Sequence, residues 1–171
     1  MKLFVRYALI RKMDISNGPG IGISLFVQGC HFHCKGCFNS IAWDFNGGKK
    51  WDIEAKQKFF ELASKPYIKR ISILGGEPLA TENVEDVYEL LMEIKDKFPN
   101  KVIWLYTGNN FEDIVDDHVY RKVLEQCDVI VDGRYVEESK DISLPWCGST
   151  NQRVIDVRAT LKQNKIILYD K

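Results

Sequence analysis

Short apolar runs rich in β-branched residues alternate with amphipathic stretches along most of this chain, and that alternation limits the folds open to it. The spacing predicts strands at Ile21–Gln28, Ile68–Leu74, Val102–Tyr106, Val129–Asp132, Val154–Val157 and Lys165–Tyr169. Helices are predicted at Asp52–Ala63 with Asp52 as N-cap, from about Thr81 to Phe98, within Phe111–Gln126, and from about Arg158 to Gln163. The second helix has the clearest signature. Val84, Val87, Tyr88, Leu91, Ile94 and Phe98 recur at the helical period, acidic residues crowd its first turn, and Pro99-Asn100 ends it. Strands alternating with helices imply βαβ units, and a continuous apolar strand such as Val102-Ile103-Trp104-Leu105 suits a parallel sheet covered on both faces. A closed eight-unit barrel needs about 200 residues or more, and this chain has 171. The expected class is therefore α/β: a partial, open (β/α) barrel of five or six mostly parallel strands, forming one domain over residues 1–171.

Sites in such folds gather beyond the C-terminal ends of the strands, and polar or glycine-rich motifs follow four of the predicted strands. After the first come three cysteines; after the second, Gly75-Gly76-Glu77-Pro78; after the third, Tyr106-Thr107-Gly108; after the fourth, Asp132-Gly133. Gly75-Gly76 alone is an ordinary turn. Among these neighbours it instead lets a ligand approach bare backbone. Glu77 is placed to accept from an ammonium group, and Asp132 either binds a cation or ammonium or caps the next segment.

The cysteines Cys30, Cys34 and Cys37 form a C-x3-C-x2-C pattern in a loop broken by Gly29 and Gly36. Thiolates ligate iron–sulfur clusters, most of which use four. A trio leaves one iron free to bind something else. Two other readings stand beside this one. The positions i, i+4 and i+7 share a helical face, which suits buried core cysteines. A zinc site is also open, because His31 and His33 lie between the first two cysteines and Cys3His would close a tetrahedron. The histidines are equally consistent with solvent-facing loop positions. Of the remaining cysteines, Cys127 ends a helical stretch and reads as a small buried apolar residue, and Cys147 lies in a loop, either as a partner contact or as a bystander.

Charge excludes some functions. Lys and Arg number 24 and so do Asp and Glu, giving a formal net charge of +0, which offers no footprint for nucleic acid or a membrane surface. Five cysteines are too few for a disulfide scaffold. The N-terminal stretch carries Lys2, Arg6, Arg11 and Lys12 with no long apolar run between them, and no segment reaches the length of a membrane span. A cytoplasmic, reducing location is expected.

The cysteine trio together with Gly75-Gly76-Glu77-Pro78 resembles the radical S-adenosylmethionine (SAM) enzymes. A narrower resemblance is to the activating proteins of anaerobic (class III) ribonucleoside-triphosphate reductases. It rests on Asn17-Gly18-Pro19-Gly20, Cys37-Phe38-Asn39 with Trp43, Gly75–Leu79, Trp104–Gly108, Val131-Asp132-Gly133 and Gly148-Ser149-Thr150-Asn151-Gln152-Arg153, and covers residues 14 to 156. The resemblance implies a [4Fe–4S] cluster held by Cys30, Cys34 and Cys37, with the amino and carboxylate groups of SAM on the open iron. It also implies adenine against the backbone of Gly36, Cys37 and Phe38, and the methionyl amino group held by Gly75 and Gly76 near Glu77. Asp132 is counted with these cofactor-binding residues. The implied reaction is that of a radical SAM oxidoreductase: a 5′-deoxyadenosyl radical takes a hydrogen atom from a glycine of the reductase large subunit. Its implied electron source is a low-potential donor such as flavodoxin. Two departures mark this chain. Gly36 stands where the superfamily often has an aromatic residue, and Tyr106 stands where a related activase family has an acidic one, which weakens any cation site shared with Asp132. The remaining alternatives are an activase of another glycyl-radical enzyme, a small-molecule radical SAM enzyme, and a non-enzymatic zinc-binding interaction module. Roles for Asn151 and Arg153 in holding SAM or the reductase are left open by the sequence.

Overall fold

The computed structural model describes residues 5–170. Lys2 therefore lies outside the described residues.

Among the described residues seven strands form one open, mixed sheet. In chain order they are β1 (Arg6–Asp14), β2 (Gly22–Val27), β3 (Lys49–Lys50), β4 (Arg70–Gly75), β5 (Val102–Tyr106), β6 (Val129–Asp132) and β7 (Arg153–Asp156). Across the sheet the order is β3-β1-β2-β4-β5-β6-β7. The inner strands β2, β4, β5 and β6 run parallel, as the βαβ pattern requires. The flanks are antiparallel: β1 pairs with β2 and β3, and β7 pairs with β6. The helices are α1 (Ile53–Ala63), α2 (Val84–Lys97), α3 (Phe111–Ile114), α4 (His118–Leu124) and α5 (Val157–Gln163). Among the described residues no helix is long and apolar enough to cross a membrane.

The expectation of five or six strands is corrected to seven. β1 and β3 were absent from it. β1 offers no apolar alternation, because most of it is half-buried or exposed and its pairing with β2 is broken by two register shifts. The predicted strand Lys165–Tyr169 is not one. Among the described residues that segment makes an isolated bridge, Ile155 with Leu168, besides main-chain bonds from Asp156 to Ile167 and from Tyr169 to Val154. Phe111–Gln126 divides into α3 and α4 because the Asp117 carboxylate accepts from the Val119 N–H at 2.8 Å and starts a new helix. The helix placed from Thr81 begins at Val84. Asn83 occupies its N-cap position, but its side-chain amide is spent on the carbonyls of Gln28 and Glu77. Asp52 caps α1 as expected, accepting from Ala55 N–H at 2.9 Å.

The period of two along each strand separates two faces. Ile23, Leu25, Ile71, Ile73, Ile103, Leu105 and Ile130 join the main core with α1, α2 and the α3–α4 segment. The alternate positions Ser24, Ser72 and Trp104 are also fully buried, although no long helix covers them. They are covered instead by loops. The Asn17–Gly20 turn lies over Ser24 and Ser72, where the buried Arg70 guanidinium donates to the carbonyls of Asn17, Pro19 and Asp14. Trp104 packs edge-to-face against Trp146 and Tyr169 from the C-terminal third of the chain.

Candidate functional site

On this second face a cavity of about 390 Å³ opens at the ends of the parallel strands, within the range of about 300–1,000 Å³ usual for small-molecule pockets. Cys30, Cys34 and Cys37 all line it, as do Gly75, Gly76 and Glu77.

The cysteine loop is pinned on both sides. Gly29 N–H donates to Ala42 and Cys30 N–H to Trp43, so the loop's first residues pair with the turn that follows its last cysteine. The Gln28 amide donates to the carbonyls of Ile41 and Asp44, closing the same turn from inside. Gly76 N–H donates to Val27 and Glu77 N–H to Gly29, which locks the glycine-rich turn after β4 against the cysteine loop. The buried Glu77 carboxylate then reaches across to β5, accepting from Leu79 N–H at 2.9 Å, the Thr107 hydroxyl at 2.8 Å and Gly108 N–H at 2.7 Å. Burial pushes its pKa up, and these three donors pull against that shift.

Each thiol of the trio has backbone N–H groups near its sulfur. Asn39 N–H lies 3.4 Å from the Cys37 sulfur. Burial raises the Cys30 thiol, opposed by the N–H groups of Phe32 and His33. Burial and the neighbouring Cys37 raise Cys34, opposed by the N–H of Tyr135 and the charge of Arg134. Thiols that converge on one cavity with N–H donors at their sulfurs fit an iron–sulfur cluster, whose properties depend on such hydrogen bonds. They fit a single ion poorly. Thiolates on one tetrahedral zinc stand within about 4 Å of each other, given Zn–S of about 2.3 Å. Among the described residues no three His, Cys, Asp or Glu side chains are grouped to share one metal ion. A four-iron cube spreads its ligand sulfurs much wider than one ion does. His31 meets Glu82 at 2.8 Å and His33 stacks on Trp43 at 4.4 Å, so each ring already has a neighbour of its own.

The other residues singled out in the sequence divide between the cavity and its surroundings. Asp132 does not line the cavity. Its carboxylate accepts from Phe111 N–H at 2.8 Å, which starts α3, and from the Arg153 guanidinium at 3.1 and 2.6 Å. Arg153 also forks onto Glu112, whose carboxyl it pulls down to about 2. Asn151 donates to the carbonyl of Arg134 and Gln152 to that of Gly133, while Gln152 accepts from Gly148 and Ser149. The Gly148–Arg153 run thus folds the long connection between β6 and β7. Cys127 is buried in the main core. Cys147 lines the cavity as a half-buried thiol pushed up to about 11, chiefly by burial.

Beyond the Gly148–Arg153 run, no local pattern announces how that connection folds. Residues 134–149 close over the cysteine loop from the opposite rim. Arg134 stacks over Phe32 at 4.4 Å, Tyr135 packs against Phe38 at 5.1 Å, and Glu138 meets Lys35 at 3.6 Å. Arg134 also lines the cavity, bringing a cation to its mouth.

Residues 16–155 match the family described as a 4Fe-4S single cluster domain, which sets the class of the site just described. The chain is 37% identical over 150 residues to the anaerobic ribonucleoside-triphosphate reductase-activating protein of Enterobacteria phage T4, covering 88% of this chain and 93% of the relative. Proteins of the same name from Escherichia coli K12 (37% over 148 residues, 85% of this chain and 95% of the relative) and Salmonella typhimurium (36% over 156 residues, 90% and 100%) match as well. The chain belongs to the family of anaerobic ribonucleoside-triphosphate reductase-activating proteins.

Proposed function

We propose that this chain is a glycyl-radical activase that cleaves SAM reductively and uses the 5′-deoxyadenosyl radical to take a hydrogen atom from a glycine of an anaerobic ribonucleotide reductase large subunit. Cys30, Cys34 and Cys37 are the cluster ligands. When bound, a [4Fe–4S] cluster supplies the single low-potential electron that breaks the sulfonium carbon–sulfur bond, drawn from a donor such as flavodoxin.

The chain's own residues bind and orient. The N–H groups of Gly76 and Glu77 are already spent on Val27 and Gly29, so what the glycine-rich turn offers a ligand is acceptors, which suits the methionyl ammonium. Arg134 at the cavity mouth suits a carboxylate. The backbone of Gly36, Cys37 and Phe38, with the Phe38 ring, forms an edge for adenine. Asp132 serves this site indirectly, by fixing α3 and the start of the β6–β7 connection, and a cation role is dropped because its oxygens are taken. The open sheet is read as a partial barrel of radical SAM type, whose uncovered side admits a peptide and whose packed wall keeps water from a reactive carbon radical.

The observation that carries this reading is the convergence of three thiols and the Gly75-Gly76-Glu77 turn on one cavity. The test is anaerobic reconstitution with iron and sulfide, followed by SAM, reductant and the reductase large subunit. A brown protein and a glycyl radical in the electron paramagnetic resonance spectrum are expected. A colourless protein holding zinc and no iron would overturn the reading in favour of an interaction module. Cleavage of SAM with no radical on the reductase would move it to another substrate.

A further inference from the structure

Four buried side-chain polar atoms among the described residues have no hydrogen-bond partner: Gln28 Oε1, Trp43 Nε1, Trp104 Nε1 and Tyr106 Oη. A buried donor without an acceptor is costly and calls for an explanation. Trp104 belongs to the separate aromatic cluster with Trp146 and Tyr169. The groups that influence the Tyr106 hydroxyl are Cys147, Arg70 and Asp14, none of which is in the cysteine trio. Gln28 Oε1 is an acceptor. Trp43 differs from all three, because it is a donor stitched into the cysteine loop. Its carbonyl accepts the Cys30 N–H at 3.0 Å, its ring lies flat on His33 with planes 9° apart, and the residue lines the cavity shared by Cys30, Cys34 and Cys37.

We propose that the Trp43 indole N–H donates a hydrogen bond to a sulfur of the iron–sulfur cluster held by these cysteines, and thereby raises the cluster's reduction potential. The inference rests on the reading of the trio as cluster ligands. An indole N–H can only donate, and sulfur is the acceptor that a cluster in this cavity would bring. A donor to a cluster sulfur stabilises the reduced state, which carries one more negative charge, more than the oxidised one. Trp43 is thus a positioning and potential-setting residue. The two stitches that orient it, Cys30 N–H to its carbonyl and His33 on its face, come from the first ligand and from the residue before the second.

The test compares reconstituted wild type with Trp43→Phe, which keeps a flat ring and loses the N–H. Iron and sulfide content should be unchanged. In a redox titration followed by electron paramagnetic resonance, the reduced-to-oxidised ratio at a fixed potential should fall about tenfold in the variant, a shift of about 59 mV to more negative potential for one electron. Trp104→Phe, which removes an equally orphaned indole away from the trio, should leave the potential in place. If Trp43→Phe fails to hold the cluster, Trp43 is replaced by its benzothienyl analogue, which has sulfur in place of the N–H and the same shape, and the same negative shift is expected. An unchanged potential in the variant that loads, or equal shifts on replacing Trp43 and Trp104, would overturn the proposal while leaving the cluster reading intact. A wild-type protein that binds no iron would overturn both.

Discussion

Gly76 faces the cysteine loop and Gly36 faces Glu137, and the two would respond differently to a methyl group. A Cβ on Gly76 would stand 2.4 Å from the Gly29 carbonyl oxygen and 2.8 Å from that of Ala42, and both are backbone atoms held by the cysteine-loop ladder. A Cβ on Gly36 would stand 2.0 Å from Glu137 Oε2, the far end of a side chain that can rotate away, leaving the cost of a φ of +75°. Gly76→Ala is therefore expected to destabilise by about 2 kcal/mol or more and Gly36→Ala by about 1 kcal/mol, measured by urea unfolding. A smaller loss at Gly76 than at Gly36 would refute this ordering. Cys34→Ala should lower the iron content and abolish SAM cleavage. Cys127→Ala should leave turnover largely intact at a stability cost of about 1 kcal/mol, because Cys127 lies in the main core, away from the cavity, and its thiol donates to the Val123 carbonyl. At this scale the sequence was informative where spacing encodes chemistry, as with Cys30, Cys34 and Cys37. It could not show Glu77 bridging β4 to Thr107 and Gly108, or Asp132 turned to Arg153, because those bonds join residues separated by whole elements.

Among the elements, the turn before β2 is held by a polar device buried at the foot of the sheet. Asp14 is buried and accepts from the Ser24 hydroxyl, the Asn17 amide and Ser16 N–H, while Arg70 clamps three carbonyls of the same segment. Burial alone would raise the Asp14 pKa, but those donors and the Arg70 charge hold it below its ordinary 3.8. A depressed carboxyl contributes stability that is present above the unfolded pKa and is lost as pH falls through the folded value. Urea midpoints of the wild type should therefore fall below about pH 4, and Asp14→Asn should flatten that part of the profile. An unchanged profile would show that other carboxyls govern it. Arg70→Met should cost about 3 kcal/mol, since it strips donors from buried carbonyls and leaves Asp14 without its compensating charge. The helix α2 was legible because four of its six periodic apolar positions, Val84, Val87, Leu91 and Ile94, are buried in the structure. β1 was not, because a strand that is mostly exposed and bulged carries no period. The C-terminal segment was misread as a strand because an apolar run predicts burial, and here Ile166 and Tyr169 are partly buried against the two clusters without joining a ladder.

Taken whole, the molecule is a sheet with helices on one face and loops on the other, and the loops come from both ends of the chain. Tyr169 touches Trp104 at 5.3 Å and Trp146 at 6.0 Å, and Trp146 lines the cavity. Tyr169→Ala is expected to cost about 3 kcal/mol, to change tryptophan fluorescence and to weaken SAM binding. Unchanged SAM affinity in a folded variant would separate the aromatic cluster from the site. The parallel centre of the sheet was legible from alternation alone, whereas its antiparallel flanks depend on pairings that no local pattern announces. Those flanks end in β3 at one edge and β7 at the other, and the two edges never meet. On the reading of a peptide substrate, that unclosed sheet makes the cavity a slot and not a tunnel. A guest segment can be laid in sideways while both of its ends stay attached to a folded body, with no chain terminus to thread, so an internal stretch of a large neighbour is as admissible as a free tail.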